Sequence, residues 1–122
     1  MNTEEVVVIT GATSGIGSAT ARRFGIAKKR VVLVGRNYQR GEELASEISK
    51  MGGNANFFKC DVSDEGQVEN LSKMLKKKYG QVDVLFNNAG IMFESKEIEN
   101  LPEKEWETTF ATNLDGIFYT MK

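Results

Sequence analysis

Histidine is absent from this 122-residue chain, and cysteine, proline and tryptophan each occur once. With no imidazole, the sequence excludes histidine-activated nucleophiles, histidine general bases and histidine-ligated metals. The lone Cys60 can form neither an internal disulfide nor a thiolate cluster, so a disulfide-stapled secreted fold and a zinc site are also excluded. An excess of one charge is missing too: 16 Lys and Arg stand against 17 Asp and Glu, for a formal net charge of -1. No basic field is available to hold a phosphodiester backbone or an anionic leaflet, so neither nucleic acid nor a membrane surface is an expected partner. No apolar run approaches the roughly 20 residues of a membrane-spanning helix. The start, Met1-Asn2-Thr3-Glu4-Glu5, is acidic where a signal peptide is basic. The expectation is a cytoplasmic chain without a metal site, whose chemistry rests on Tyr, Lys, Ser, carboxylates or a bound cofactor.

What is present is ordinary globular composition, 40% hydrophobic and 27% charged, enough for one domain over residues 1–122. Four short β-branched or aromatic runs begin at positions 6, 31, 56 and 82: Val6–Thr10, Val31–Val34, Asn56–Phe58 and Val82–Phe86. All but the third are nearly continuous in apolar residues, the pattern of strands covered by helices on both faces of a parallel sheet. The segments between them carry helical periodicity. Ile16, Ala19, Phe24 and Ala27 share one face of a first helix, and Leu44, Ile48 and Met51 form the stripe of a second that ends at Gly52-Gly53. A third helix is expected after Ser63 as N-cap, with Asp64 and Glu65 in its first turn and Lys76 to Lys78 before Gly80. A fourth opens near Pro102 and carries Trp106, Phe110, Leu114, Ile117 and Met121 at spacings of three to four. The alternation is that of βαβ units, so the fold class is α/β.

The first strand runs into Thr10-Gly11-Ala12-Thr13-Ser14-Gly15-Ile16-Gly17 and then a helix. A tight turn of this kind lets backbone approach a pyrophosphate and presents the positive end of a helix to it; side chains at Gly11, Gly15 or Gly17 would obstruct that. The same glycines also serve a turn needed only for close strand-to-helix packing. The second strand ends Val34-Gly35-Arg36-Asn37. An acid there would grip a ribose 2′-hydroxyl, whereas arginine pairs with a 2′-phosphate, so Arg36 points to a phosphorylated ribose or else to a solvated side chain. Asp61, past the third strand, is placed to accept from an exocyclic amine or to cap the following helix. Asn87 and Asn88 suit loop-holding hydrogen bonds, and Asn113 on an apolar stripe is a polar group in need of a partner.

Thr10-Gly-x-x-x-Gly-x-Gly17, Asp61-Val62, Asn87-Asn88-Ala89-Gly90 and Thr112-Asn113-Leu114 occur in the order and at the intervals of the short-chain dehydrogenases/reductases, a family this chain resembles along its whole length. The resemblance implies a three-layer Rossmann-like parallel sheet of about four strands in the order 3-2-1-4, with the first strand central. It implies a nicotinamide dinucleotide held by Gly11, Thr13, Ser14, Gly15, Ile16, Gly17, Arg36, Asn37, Asp61, Val62, Asn88, Ala89 and Gly90. Gly35 stands where NAD-preferring relatives carry aspartate, so NADP is the expected cofactor. Asn113 matches the asparagine of the family's catalytic tetrad. Relatives usually place a glycine where Lys29 stands, so a left-handed residue under mild strain is expected there.

The family's proton-transfer pair is Tyr-x-x-x-Lys, and none of the three tyrosines, Tyr38, Tyr79 and Tyr119, has a lysine four residues on. The family fold also continues with further strands, so the sequence reads as a truncated N-terminal portion that binds NADP(H) without turnover of its own. The parallel edge carrying Val82, Val84, Leu85 and Phe86, and the helix 103–121 that resembles a subunit-contact helix, are the surfaces expected to meet a second copy or another chain. The other reading is a non-enzymatic assembly module built on half a sheet. Cys60 reads as a small buried hydrophobe, and Lys76 to Lys78 as a solvated helix end.

Overall fold

The computed structural model describes residues 5–122; the acidic start over Met1 to Glu4 lies outside the described residues. The elements are β1 (Val6–Thr10), α1 (Gly15–Ile26), β2 (Arg30–Gly35), α2 (Tyr38–Lys50), β3 (Asn54–Lys59), α3 (Glu65–Tyr79), β4 (Val84–Phe86), a 3-10 turn (Ile98–Asn100), α4 (Glu103–Phe110), a π turn (Ala111–Asp115) and α5 (Gly116–Met121). The four strands form one parallel sheet in the order β3-β2-β1-β4. That is the expected order, with β1 central.

The strands are apolar at nearly every position because both faces are covered. Val7, Ile9, Val31 and Leu33 pack under α1 and α2 with Ala21, Leu44 and Ile48. Their alternates Val6, Val8, Val32 and Val34 pack on the other side with Val68, Leu71 and Leu75 of α3, and Tyr119 of α5 joins them. All eight strand residues are at most 4% exposed, and each side chain so buried contributes about 1.5–3 kcal/mol.

Several sequence expectations are corrected. The buried face of α1 is Gly17, Ala21 and Gly25 with half-buried Phe24, whereas Ile16, Ala19 and Ala27 face solvent. The helix lies so close to its neighbours that a Cβ on Gly25 would come 2.6 Å from Ile48 Cγ2, leaving no room for the larger side chains on that side. Helix α2 stops at Lys50, and Met51 is an exposed C-cap. The N-cap of α3 is Asp64, not Ser63; its carboxylate accepts the Gln67 N–H. The left-handed residue after α1 is Lys28, φ 66°, and not Lys29, because Ala27 already ends the helix. The Lys28 N–H reaches the Gly25 carbonyl at 3.0 Å and the Lys29 N–H the Phe24 carbonyl at 3.1 Å, the two bonds of a Schellman cap. Strand β4 is shorter than expected, leaving Val82 outside it. The helix foreseen over 103–121 forms without a gap but winds as a π turn over 111–115, and its stripe of Trp106, Phe110, Leu114 and Met121 faces solvent.

Candidate functional site

All four strands run the same way, so their carboxyl ends share one edge of the sheet. From β1 the chain builds outward to β2 and β3, then crosses to β4 on the other side. The crevice at such a reversal is where open α/β sheets take ligands. Here it is a cleft lined from the turn after β1, the ends of β2 and β3, and the loop after β4.

The turn after β1 is tied down from below. The buried Thr10 hydroxyl accepts the N–H groups of Asn88 at 3.0 Å and Ala89 at 2.9 Å, and Asn88 Nδ2 donates to the Gly11 carbonyl at 3.1 Å. A Cβ on Gly11 would come 2.8 Å from Ala89 Cα, and one on Gly17 would overlap the Gly11 carbonyl and lie 2.6 Å from Asn88 Nδ2. Gly15 is different: a Cβ there meets nothing within 4 Å, and the requirement is its φ of 53°. Helix α1 then starts at Ser14 with no side-chain cap and no acid in its first turn. Its leading N–H groups are therefore left for an anion or water.

Arg36 and Asn37 follow β2 on the same cleft, with Arg40 one helical turn on. Both arginines are exposed, and no carboxylate among the described residues pairs with either. The first turn of α2 contains no acid. Asn37 is its N-cap, the side-chain oxygen accepting the Arg40 N–H at 3.0 Å. Gly35 keeps the floor low beside Thr13, whose Cγ2 is 3.0 Å from where a Cβ would stand.

Beyond β3, one Asp61 carboxylate oxygen accepts both the N–H and the hydroxyl of Ser63, at 3.0 and 2.7 Å. The other carries no hydrogen bond among the described residues. Cys60 and Val62 are buried beside it, and desolvation, helped by the charges of Asp61 and Asp64, pushes the Cys60 thiol up to about 11. Asn113 sits in the π turn and holds both backbone groups of Ile91: Oδ1 accepts its N–H and Nδ2 donates to its carbonyl, each at 2.8 Å. Thr120 bonds Asn87 Oδ1 at 2.5 Å, fixing the same loop from α5.

Of the residues anticipated, Gly11, Thr13, Ser14, Arg36, Asn37, Asp61, Val62, Ala89 and Gly90 line this cleft. Gly15, Ile16, Gly17, Asn88 and Asn113 do not line it. Gly17 and Asn88 support the turn from beneath, Ile16 is 71% exposed on α1, and Asn113 positions the loop after β4. Sequence reasoning missed Val34, Gly35, Arg40, Cys60, Ile91 and Thr112 as lining residues. Arg40 had a legible signal, four residues after Arg36 on a helix start free of acids. Among the described residues no cluster of three metal-ligating side chains occurs, and no helix is long and apolar enough to cross a membrane.

Comparison with known proteins places this geometry. A 3beta-hydroxysteroid dehydrogenase of Mediterraneibacter gnavus is 41% identical over 116 residues, covering 95% of this chain and 42% of the relative. Short-chain dehydrogenase reductase 5 of Arabidopsis thaliana is 38% identical over 112 residues, covering 92% of this chain and again 42% of the relative. The chain thus spans under half the length of these curated relatives. Among solved structures, a metagenomic short-chain oxidoreductase in complex with NADP superposes with a TM-score of 0.92 at 32% identity, covering 96% of this chain and 53% of that one. The sequence profile of the short chain dehydrogenases matches residues 5–122. With that match, the glycine turn, the strand order and the loop after β4, the chain belongs to the short-chain dehydrogenase/reductase family of oxidoreductases.

Proposed function

We propose that residues 1–122 are the dinucleotide-binding portion of a short-chain oxidoreductase that uses NADP(H) in preference to NAD(H) to interconvert a carbonyl and an alcohol. The observation that carries this reading is the cradle after β1. Two glycines have no space for a Cβ, a third has a positive φ, and the helix start beyond them is uncapped. Such a backbone surface fits a pyrophosphate. Gly11, Thr13, Ser14, Gly15, Ile16 and Gly17 would hold that group through main-chain N–H donors and close approach. Asp61, Val62, Asn88, Ala89 and Gly90 would flank the adenosine and the adjoining ribose, and Arg36 beside Asn37 would meet the 2′-phosphate. The bound cofactor supplies the hydride. Asn113 would act through Ile91, holding the loop on which the cofactor would rest.

A solved structure with this sheet is described as an NADP complex, and a Thermococcus sibiricus alcohol dehydrogenase, matched with a TM-score of 0.92, as a complex with 5-hydroxy-NADP. Both support the phosphorylated cofactor. Calorimetric titration with NADP+ and NAD+ in parallel tests the proposal. NADP+ binding at least about tenfold tighter supports it; equal affinities remove the preference, and binding of neither removes the function. The exposed stripe from Trp106 to Met121 supports association with a second copy of the chain, through this face in preference to the β4 edge.

A further inference from the structure

The fold separates charge that the composition balances. Six glutamates lie between positions 94 and 107, in the segment that leaves the carboxyl end of β4. Cations gather at the other edge of the sheet. Between parallel strands each helical crossover returns the chain to the amino edge, so α1, α2 and α3 all end there. Their last turns carry Arg23, Lys50 and the run Lys76 to Lys78, and Lys28 follows α1. All six are exposed, and none pairs with a carboxylate among the described residues. The acids near this edge are engaged: Glu5 pairs with Lys29, Glu47 with Arg22, and the Asp83 carboxylate accepts from the Val6 N–H and from Gln81.

Contacts hold the three helix ends in one face. Lys28 Nζ donates to the Gly52 carbonyl at 2.9 Å, joining α1 to α2. Tyr79, the last residue of α3, accepts from Asn56 Nδ2 of β3 at 3.1 Å, and its ring centroid is 5.7 Å from the Arg30 guanidinium at the start of β2. The negative end of a helix amounts to roughly half an elementary charge, so three ends account for few of the six cations. Among these cations stand exposed apolar side chains: Ile26 at the end of α1, Met51 as the C-cap of α2 and Val82 before β4. A polyanion in water uses the cations alone. Cations interleaved with apolar side chains suit a surface that is charged outside and apolar beneath. We infer that the amino edge of the sheet docks on an anionic phospholipid surface, its lysines meeting headgroups while Ile26, Met51 and Val82 enter the interface. The even charge count gives no overall field for an anionic leaflet, but the topology makes a local one. The cleft lies at the opposite edge and stays open to water, so the inference is independent of the proposed function.

The test is co-sedimentation of the chain with vesicles of phosphatidylcholine alone and of phosphatidylcholine mixed with phosphatidylserine. Binding is expected to the mixed vesicles only, and added salt should release it. Each cation at such a surface adds about fivefold to partitioning, so the triple variant Lys76→Gln, Lys77→Gln, Lys78→Gln should bind about 100-fold more weakly. Lys50→Gln with Lys77→Gln serves the same comparison if the triple variant does not fold. Ile26→Ser with Val82→Ser should lose about tenfold with every cation in place. Arg36→Gln with Arg40→Gln, at the opposite edge, should bind as the unmutated chain does. No binding to either vesicle, equal binding to both, or an unweakened lysine variant overturns the inference. So does weaker binding by the Arg36 and Arg40 variant, which would move the contact to the cleft. An Ile26 and Val82 variant that binds normally also overturns it, leaving a patch for polyanions in water. None of these outcomes touches the proposed function, which nucleotide titration reads separately.

Discussion

Arginine just past a strand end has two uses, and geometry separates them. A structural arginine finds a carboxylate, as Arg22 does with Glu47, which raises the guanidinium pKa and lowers that of the acid. Arg36 has no such partner among the described residues and stands over a cleft. Replacing it tests the 2′-phosphate assignment: Arg36→Gln should weaken NADP+ binding by about 10- to 100-fold, the value of a charge-assisted bond, and leave NAD+ within about twofold. Arg36→Glu should go further and reverse the preference, read by the same paired titrations. Cys60 gives a pH-dependent expectation. Its thiol keeps its proton to about 11 when folded, while in the unfolded chain it ionises near the ordinary 9.0. The folded state therefore binds more protons across that window, and stability falls as pH rises through it. Urea unfolding from pH 8 to 11 should lose about 1–2 kcal/mol more in the native chain than in Cys60→Ala. The glycines and Arg36 were legible at this scale because their chemistry is local. Thr112 was not, since nothing in a threonine one residue before Asn113 reveals that it is buried against the cleft.

Two helices end in the same Schellman arrangement, and only one has the residue it favours. After α2, Gly52 takes φ 86° and the N–H groups of Gly52 and Gly53 reach Ser49 and Ile48. After α1 the same position is Lys28, whose Nζ reaches across to the Gly52 carbonyl at 2.9 Å. The left-handed conformation costs a lysine about 1–2 kcal/mol, more than one exposed hydrogen bond returns. Lys28→Gly should accordingly raise stability by about 0.5–1 kcal/mol, and Lys28→Met, which keeps the strain and loses the bond, should lower it; thermal unfolding distinguishes them. Gly41 in α2 shows the opposite trade. Alanine there would favour an isolated helix by about 1 kcal/mol, but a Cβ would overlap the Phe57 ring packed on that helix. Gly41→Ala should lose about 1–3 kcal/mol in denaturant unfolding. The strands were readable from apolar runs and spacing, because burial on both faces leaves no other pattern, whereas their order came from the family resemblance. The buried face of α1 was not: a helix that packs through Gly17, Ala21 and Gly25 carries its larger apolar residues outward, against the usual logic of amphipathic periodicity.

At the scale of the molecule, the sheet is covered on both faces at its centre and less so at β4. Val84, Leu85 and Phe86 are half-buried, where the strands beside them are sealed. The segments after β4 leave Trp106 52%, Leu114 57%, Phe118 61% and Met121 69% exposed, along one run of α4, the π turn and α5. Isolated apolar side chains on a surface need no explanation, but a continuous row of this kind is uncommon on a protein that stays monomeric. The row lies on one side of the segment, because Asn113 and Gly116 tie the opposite side to Ile91 and Val62. Solvent exposure and loop anchoring thus share a cause. Sedimentation of the 122-residue chain should show self-association rising through the micromolar range, and Leu114→Glu with Phe118→Glu should reduce it by at least about tenfold, since each buried pair of large apolar groups contributes more than 1.4 kcal/mol. The double variant should keep its NADP+ affinity, because neither residue lines the cleft. A chain that remains monomeric without the substitutions would remove the stripe as a contact surface, and one that associates equally with them would transfer the contact to the edge of β4, where Val84→Lys should then abolish it.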